Sequence, residues 1–244
     1  MEKQEFRLSS KFSECILCDI IKGGVDITGK KPYILYQNES FIATVDLGSM
    51  VEGYVLITCK RHINSMGELT DREYIDFMEI QKKINIGLKQ IYSKKCICFE
   101  HGSGNNNQDN AASSIKHAHF HMVAIDKLDD DIHEKIINDM EMLSIENQRE
   151  LKNYVDEPYI YYMAGDGKKY ISTKQGMESQ YMRQRIAEQF RTQYNWKDPD
   201  ICKSLNENVL KTEKKWKNYI EESKQVYCIL HFIGFERDIR VNEF

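Results

Sequence analysis

Proline is scarce, with three in 244 residues, and glycine numbers only 13, which excludes collagen-like and Pro/Gly-rich low-complexity architectures. No run of about 18 consecutive apolar residues occurs, so no segment reads as a membrane-spanning helix and no membrane partner is expected. The opening MEKQEFRLSSKF has no apolar core of the signal-peptide kind, and a cytoplasmic location is expected. An excess of positive charge is also missing. With 34 basic and 38 acidic residues the net charge is −4, so there is no broad positive field for a polyanion, and nucleic acid is not an expected partner. The seven cysteines are odd in number, and in a reducing compartment they read as core thiols or metal ligands before disulfides.

What remains is a charged, helix-rich, folded composition: 30% charged and 41% apolar residues, long enough for one core with a substantial appendage. YILYQNES and FIATVDLGSMVEGYVLITCKRH carry β-branched and aromatic runs broken by polar turns, the pattern of antiparallel strands. Thr70-x-x-Glu73 has capping-box spacing, and Tyr74, Phe77, Ile84, Leu88 and Ile91 follow at helical intervals, so a long amphipathic helix is expected over about 71–92. CICFEH (96–101) and IKHAHFHMVAI (115–125) read as two further strands joined by the polar loop GSGNNNQDNAASS. Beyond 127 the pattern changes. Residues 127–155 read as largely helical, YIYYMAGDGKKYIST as a hairpin turning at Gly165-Asp166-Gly167, Met182/Ile186/Phe190 and Val209/Trp216/Ile220 as two helices, and VYCILHFIGF as a last strand. The expected division is residues 1–126 as one domain and 127–244 as a mixed α/β extension packed on it.

The sharpest chemical feature is His117-Ala118-His119-Phe120-His121-Met122-Val123. On a strand, alternation sends the three histidines to one face and Ala118, Phe120 and Met122 to the other. Two chemistries suit such a wall. Neutral imidazoles can bind a transition metal, or one of them can act as a nucleophile toward phosphorus while its neighbours stabilise the phosphoryl oxygens. The Asp-His pair that a metallo-β-lactamase-like site wants is absent, since Phe120-His121 stands in its place, and the alternation supports the nucleophile.

His-φ-His-φ-His-φ-φ, with φ apolar, resembles the signature of the histidine triad superfamily, and the likeness spans residues 15 to about 125, because CILCDIIKG is similar to that family's opening. The resemblance implies an α+β fold in which an antiparallel sheet of about five strands is backed by the 71–92 helix. It also implies a nucleotidyl hydrolase or transferase that cleaves at the α-phosphate of a dinucleoside polyphosphate or nucleoside phosphoramidate through a nucleotidyl-histidine intermediate. The alternative is a nucleotide-binding regulatory module with reduced turnover. Carried onto this chain, His119 is the nucleophile, His121 contacts phosphate oxygens, His117 orients the site, and Ser114 supplies a hydroxyl to the leaving group. Asp46 is expected to accept the ribose hydroxyls, one of Asn105, Asn106, Asn107 or Gln108 to supply an amide at the phosphate, and His101 to approach from the adjacent strand.

Cys15-x-x-Cys18 is half of a zinc site or a pair of buried thiols, and the resemblance completes it with His62 and His117 as a closed, structural tetrahedral set. No organic cofactor is expected. The expected partner is a small-molecule nucleotide, and a homodimer is compatible with the resemblance. In the extension, SQYMRQ resembles a segment that follows the triad in larger members, which makes Arg183 a candidate phosphate contact as well as an ordinary surface arginine.

Overall fold

The structure is a computed structural model that describes residues 15–105, 115–176, 178–195 and 198–232, without the side chains of 199 and 226–232. Among these residues, five strands precede position 126: β1 (Ile34–Gln37), β2 (Phe41–Val45), β3 (Tyr54–Cys59), β4 (Ile97–Gly102) and β5 (His119–Val123). Three follow it, β6 (Leu143–Ile145), β7 (Tyr159–Met163) and β8 (Lys169–Ser172). All eight form one antiparallel sheet in the order β1-β2-β3-β5-β4-β7-β8-β6. The sheet is therefore wider than the expected five strands, because β7 pairs with the outer edge of β4 along its length, from Cys98↔Met163 to Gly102↔Tyr159. An edge left open invites pairing, and here the extension fills it in cis.

The helices are α1 (Ile16–Ile21), α2 (Asp71–Tyr92), α3 (Asp130–Asp139), α4 (Tyr181–Gln189), α5 (Pro199–Ser204) and α6 (Asn206–Phe232). The Thr70 side chain accepts from Glu73 N while the Glu73 carboxylate accepts from Thr70 N, which starts α2 where the spacing placed it. Phe77, Ile80, Ile84 and Leu88 then pack on Ala43, Val55, Ile57, Ala118, Phe120 and Met122, and Trp216 of α6 closes the same core. The opposite face of the sheet is covered beside β4 and β7 by α3 and α4, through Ile136, Met182 and Ile186 against Phe99, Ile160 and Tyr162.

Two elements differ from the sequence reading. Of the expected strand VYCILHFIGF, the run VYCILHF instead continues α6 to Phe232, because periodicity cannot separate a short apolar run in a strand from one in a helix, and residues 233–235 lie outside the described residues. Residues 127–155 are helical only over α3 and a 3-10 segment at Gln148–Tyr154, with β6 between them. The hairpin at Gly165–Gly167 forms as read, with Gly167 at φ +90, a conformation that suits glycine. Among the described residues no helix is long and apolar enough to cross a membrane.

Candidate active site

The site grows from the alternation of three neighbouring strands. Register places Thr44 opposite Leu56, Leu56 opposite His121 and His121 opposite Phe99, and places Thr58 opposite His119. These side chains share one face, and Thr44, Leu56, Thr58, His119 and His121 line a cavity of roughly 390 Å³. Ile16, Leu17 and Ile20 of α1, residues 26–28 and 30–32, and Val209 and Leu210 of α6 add to the lining. Such a volume suits a small organic ligand.

His119 is buried, and its Nδ1 lies 2.6 Å from the carbonyl oxygen of His117. A carbonyl can only accept, so Nδ1 carries the proton and Nε2 is the nitrogen with the lone pair. Burial is the main cause that holds the His119 ring well below the ordinary imidazole range, at about 4, and the charge of Arg183 adds to it. His121 is depressed as well, again mainly by burial, and stacks on Phe99 with centroids 4.3 Å apart. Its Nδ1 is 3.1 Å from the Tyr54 hydroxyl. The wall is thus made of neutral imidazoles near pH 7.

His117 stands just before β5 and turns away from the cavity lining. Its Nε2 donates to the Cys59 carbonyl at 2.6 Å, which leaves Nδ1 as a lone-pair donor. That Nδ1 lies 3.3 Å from Cys15 Sγ and 3.4 Å from Cys18 Sγ, and His62 Nδ1 lies 3.2 Å from Cys18 Sγ. The four ligand atoms fall within 4.8 Å of one another, so this donor set, two thiols and two imidazoles, can hold a metal ion.

Asp46 follows β2 and is buried rather than solvated, in a turn where the Ser49 hydroxyl donates to its carbonyl at 2.6 Å. Both of its carboxylate oxygens accept from Arg183 of α4, at 3.0 Å from Nη1 and 2.5 Å from Nη2. Arg183 is therefore no surface residue; its guanidinium lies over the rings of Tyr194 and Tyr54 at 4.3 and 5.0 Å. His101 lies at the end of β4 with its ring 6.5 Å from that of His121, and Met182 N donates to its Nε2 at 3.4 Å. Burial pushes it down to about 3. Ser114, Asn107 and Gln108 lie outside the described residues, whereas Asn105 accepts from Asn64 Nδ2 at 3.0 Å.

The sequence reading missed Thr44, Leu56 and Thr58, although strand parity with Asp46 and the histidine register carried the signal. It also missed Tyr54, which the same parity on β3 places beside Leu56 and Thr58, and Tyr194, for which the sequence offers no comparable mark.

The family profile described as "HIT domain" matches residues 29–128. A HIT-like protein of Methanocaldococcus jannaschii is 30% identical over 110 residues, covering 45% of this chain and 77% of that protein. The bis(5'-adenosyl)-triphosphatase of Dictyostelium discoideum is 26% identical over 129 residues, covering 50% of this chain and 80% of that protein. The adenosine 5'-monophosphoramidase of Schizosaccharomyces pombe is 29% identical over 109 residues, covering 45% of this chain and 72% of that protein.

Proposed function

This chain belongs to the histidine triad (HIT) family, and from that premise we propose that it cleaves a nucleotide conjugate at the α-phosphorus with His119 as the nucleophile. The observation that carries the reading is the hydrogen bond from His119 Nδ1 to the His117 carbonyl. It fixes the tautomer, so the reactive lone pair is on Nε2 with no general base needed to expose it. Attack forms the Nε2–P bond and breaks the bond from phosphorus to the leaving amine or phosphate. The ring then carries positive charge, and the carbonyl that accepts Nδ1–H stabilises it. Water subsequently displaces the imidazole and releases the nucleoside monophosphate. With the Tyr54 hydroxyl donating to Nδ1 of His121, the His121 Nε2–H is available to a phosphoryl oxygen.

Asp46 is the acid for the ribose hydroxyls, and the apolar wall of Ile16, Leu17, Ile20 and Leu56 suits the base. The relatives in Dictyostelium and Schizosaccharomyces, named for a dinucleoside triphosphate and a phosphoramidate, support conjugates of adenosine as the substrate class. Cys15, Cys18, His62 and His117 would hold a zinc ion, whose part is structural: it ties α1, a wall of the cavity, to the strand that carries the nucleophile.

The test is a panel of adenosine phosphoramidate and dinucleoside tri- and tetraphosphates assayed with and without inorganic phosphate. Release of AMP without phosphate marks a hydrolase, and a phosphorylated nucleoside product that needs phosphate marks a transferase. Nucleotide binding without turnover of any conjugate would leave the regulatory module instead.

A further inference from the structure

The turn that carries Asp46 is gripped from outside the segment that the HIT profile matches. Arg183 of α4 donates to both carboxylate oxygens and also, at 3.2 Å, to the Leu47 carbonyl. From α6, Asn208 Nδ2 donates to the Ser49 carbonyl at 2.9 Å, and the Thr212 hydroxyl accepts from Gly53 N at 3.0 Å. Lys215 pairs with Glu52 at 2.5 Å. Side chains of the extension thus hold the connection from β2 to β3 at several points.

Of these, Arg183 touches the chemistry. A carboxylate removed from water is costly unless it is paired and hydrogen-bonded, and Asp46 is buried, with 4% of its surface exposed. Its two oxygens offer about four lone-pair sites, of which the guanidinium takes two, so acceptor capacity remains for two hydroxyls. The guanidinium is itself held between Tyr54 and Tyr194, so the direction it imposes on the carboxylate is fixed by packing. Its Nε–H has no partner among the described residues, so the pair is an incompletely satisfied polar unit in the wall of the cavity.

We propose that Arg183 is the positioning residue of the sugar subsite: it pairs with Asp46 and aims it so that the remaining lone pairs accept a vicinal diol, which makes discrimination of ribose from deoxyribose depend on the C-terminal extension. This rests on the reading of Asp46 as the ribose acid. Arg183 does not act on the phosphorus, and its loss is felt in sugar selectivity.

The experiment is calorimetric binding of AMP and 2'-deoxyAMP to the full chain, which needs no turnover. Wild-type protein should prefer AMP on the order of tenfold, the usual scale for a hydrogen bond to a charged group. Asp46→Asn and Arg183→Met should each bring the ratio close to one, the double variant should be no worse than either, and Arg183→Lys should restore part of the preference. Because Arg183→Met leaves a buried carboxylate unpaired, its fold is checked by melting against the double variant, in which no charge is stranded. An Arg183→Met protein that keeps the wild-type ratio overturns the proposal. So does one that binds AMP more tightly than wild type, which would make Arg183 a competitor for Asp46. Wild-type protein that cleaves adenosine conjugates without preferring AMP over 2'-deoxyAMP overturns this inference alone. A clear AMP preference without cleavage of any conjugate overturns the reaction and leaves the sugar subsite standing. Failure to bind either nucleotide removes both.

Discussion

The His117 carbonyl accepts the Nδ1 proton of His119 at 2.6 Å while the His117 ring faces Cys15 and Cys18, so one residue belongs to both the candidate metal group and the wall of imidazoles. Anything that shifts His117 shifts the tautomer and the aim of its neighbour two positions on. The candidate metal group and the candidate nucleophile are therefore mechanically joined through two residues of backbone.

His119→Asn should lower turnover by several orders of magnitude, as removal of a covalent nucleophile does, while AMP affinity changes little. His121→Asn should cost less, since it would stabilise charge and not form a bond. Mass spectrometry of enzyme quenched without acid, with a slow conjugate, should place a nucleoside monophosphate on His119. An adduct on His101 or His62, or an active His119→Asn protein, would overturn the assignment.

Purified protein prepared without chelator should carry about one zinc per chain, the content of one tetrahedral site. Cys18→Ser should reduce that content and lower the melting temperature, because α1 contributes Leu17 to a small cluster with Cys15 and Leu56 that the metal would pin to the sheet. Metal analysis that finds none in folded, active protein would sink the site.

Much of this arrangement was legible in the sequence, and the exceptions have physical reasons. Period-two alternation revealed the His119/His121 wall and its apolar backing by Phe120 and Met122, and a capping box revealed the start of α2 at Asp71. The pairing of β7 with β4 was not legible, since a strand's composition does not name its neighbour. Nor was the Asp46–Arg183 pair, which joins residues 137 apart in the chain. His117 shows a subtler limit. Alternation groups it with the other two histidines, but β5 begins only at His119, and before it the chain turns, with His117 N donating to the Ile115 carbonyl at 2.9 Å and Ala118 N to the Ile63 carbonyl at 2.6 Å.

Gly87 on α2 has Trp216 of α6 against it, and a Cβ there would come within 2.2 Å of the indole ring. Alanine favours a helix interior over glycine by about 1 kcal/mol, but overpacking a closed contact costs about 1–3 kcal/mol. Gly87→Ala should therefore destabilise the protein in chemical denaturation despite its better propensity. Trp216 is fully buried, and Trp216→Ala should cost more, on the order of 3–5 kcal/mol, as a large cavity does. A Gly87→Ala protein more stable than wild type would show that α6 can move off α2 without penalty.

Glu100 of β4 gives a pH signature separate from the histidines. Burial pushes its carboxyl up to about 8 from the ordinary 4.5, against the opposing pull of hydrogen bonds from Met66 N and the Tyr159 hydroxyl, each at 2.7 Å. The unfolded chain loses this proton near 4.5, whereas the folded chain holds it until about 8. Between those values the native state binds more protons, so this residue makes stability fall as pH rises through the window. Below it the contribution is intact. Glu100→Gln keeps an acceptor for Met66 and a polar partner for Tyr159 but cannot ionise. The difference in stability, variant minus wild type, should therefore grow in favour of the variant from pH 5 to pH 8, by on the order of 3 kcal/mol, the scale of a shift that spans most of this window. Urea denaturation of both proteins at each pH measures that difference directly, and contributions from other titrating groups cancel in it. A difference that stays constant across the range would mean that Glu100 is already ionised in the folded protein and that its two donors outweigh the cost of burial.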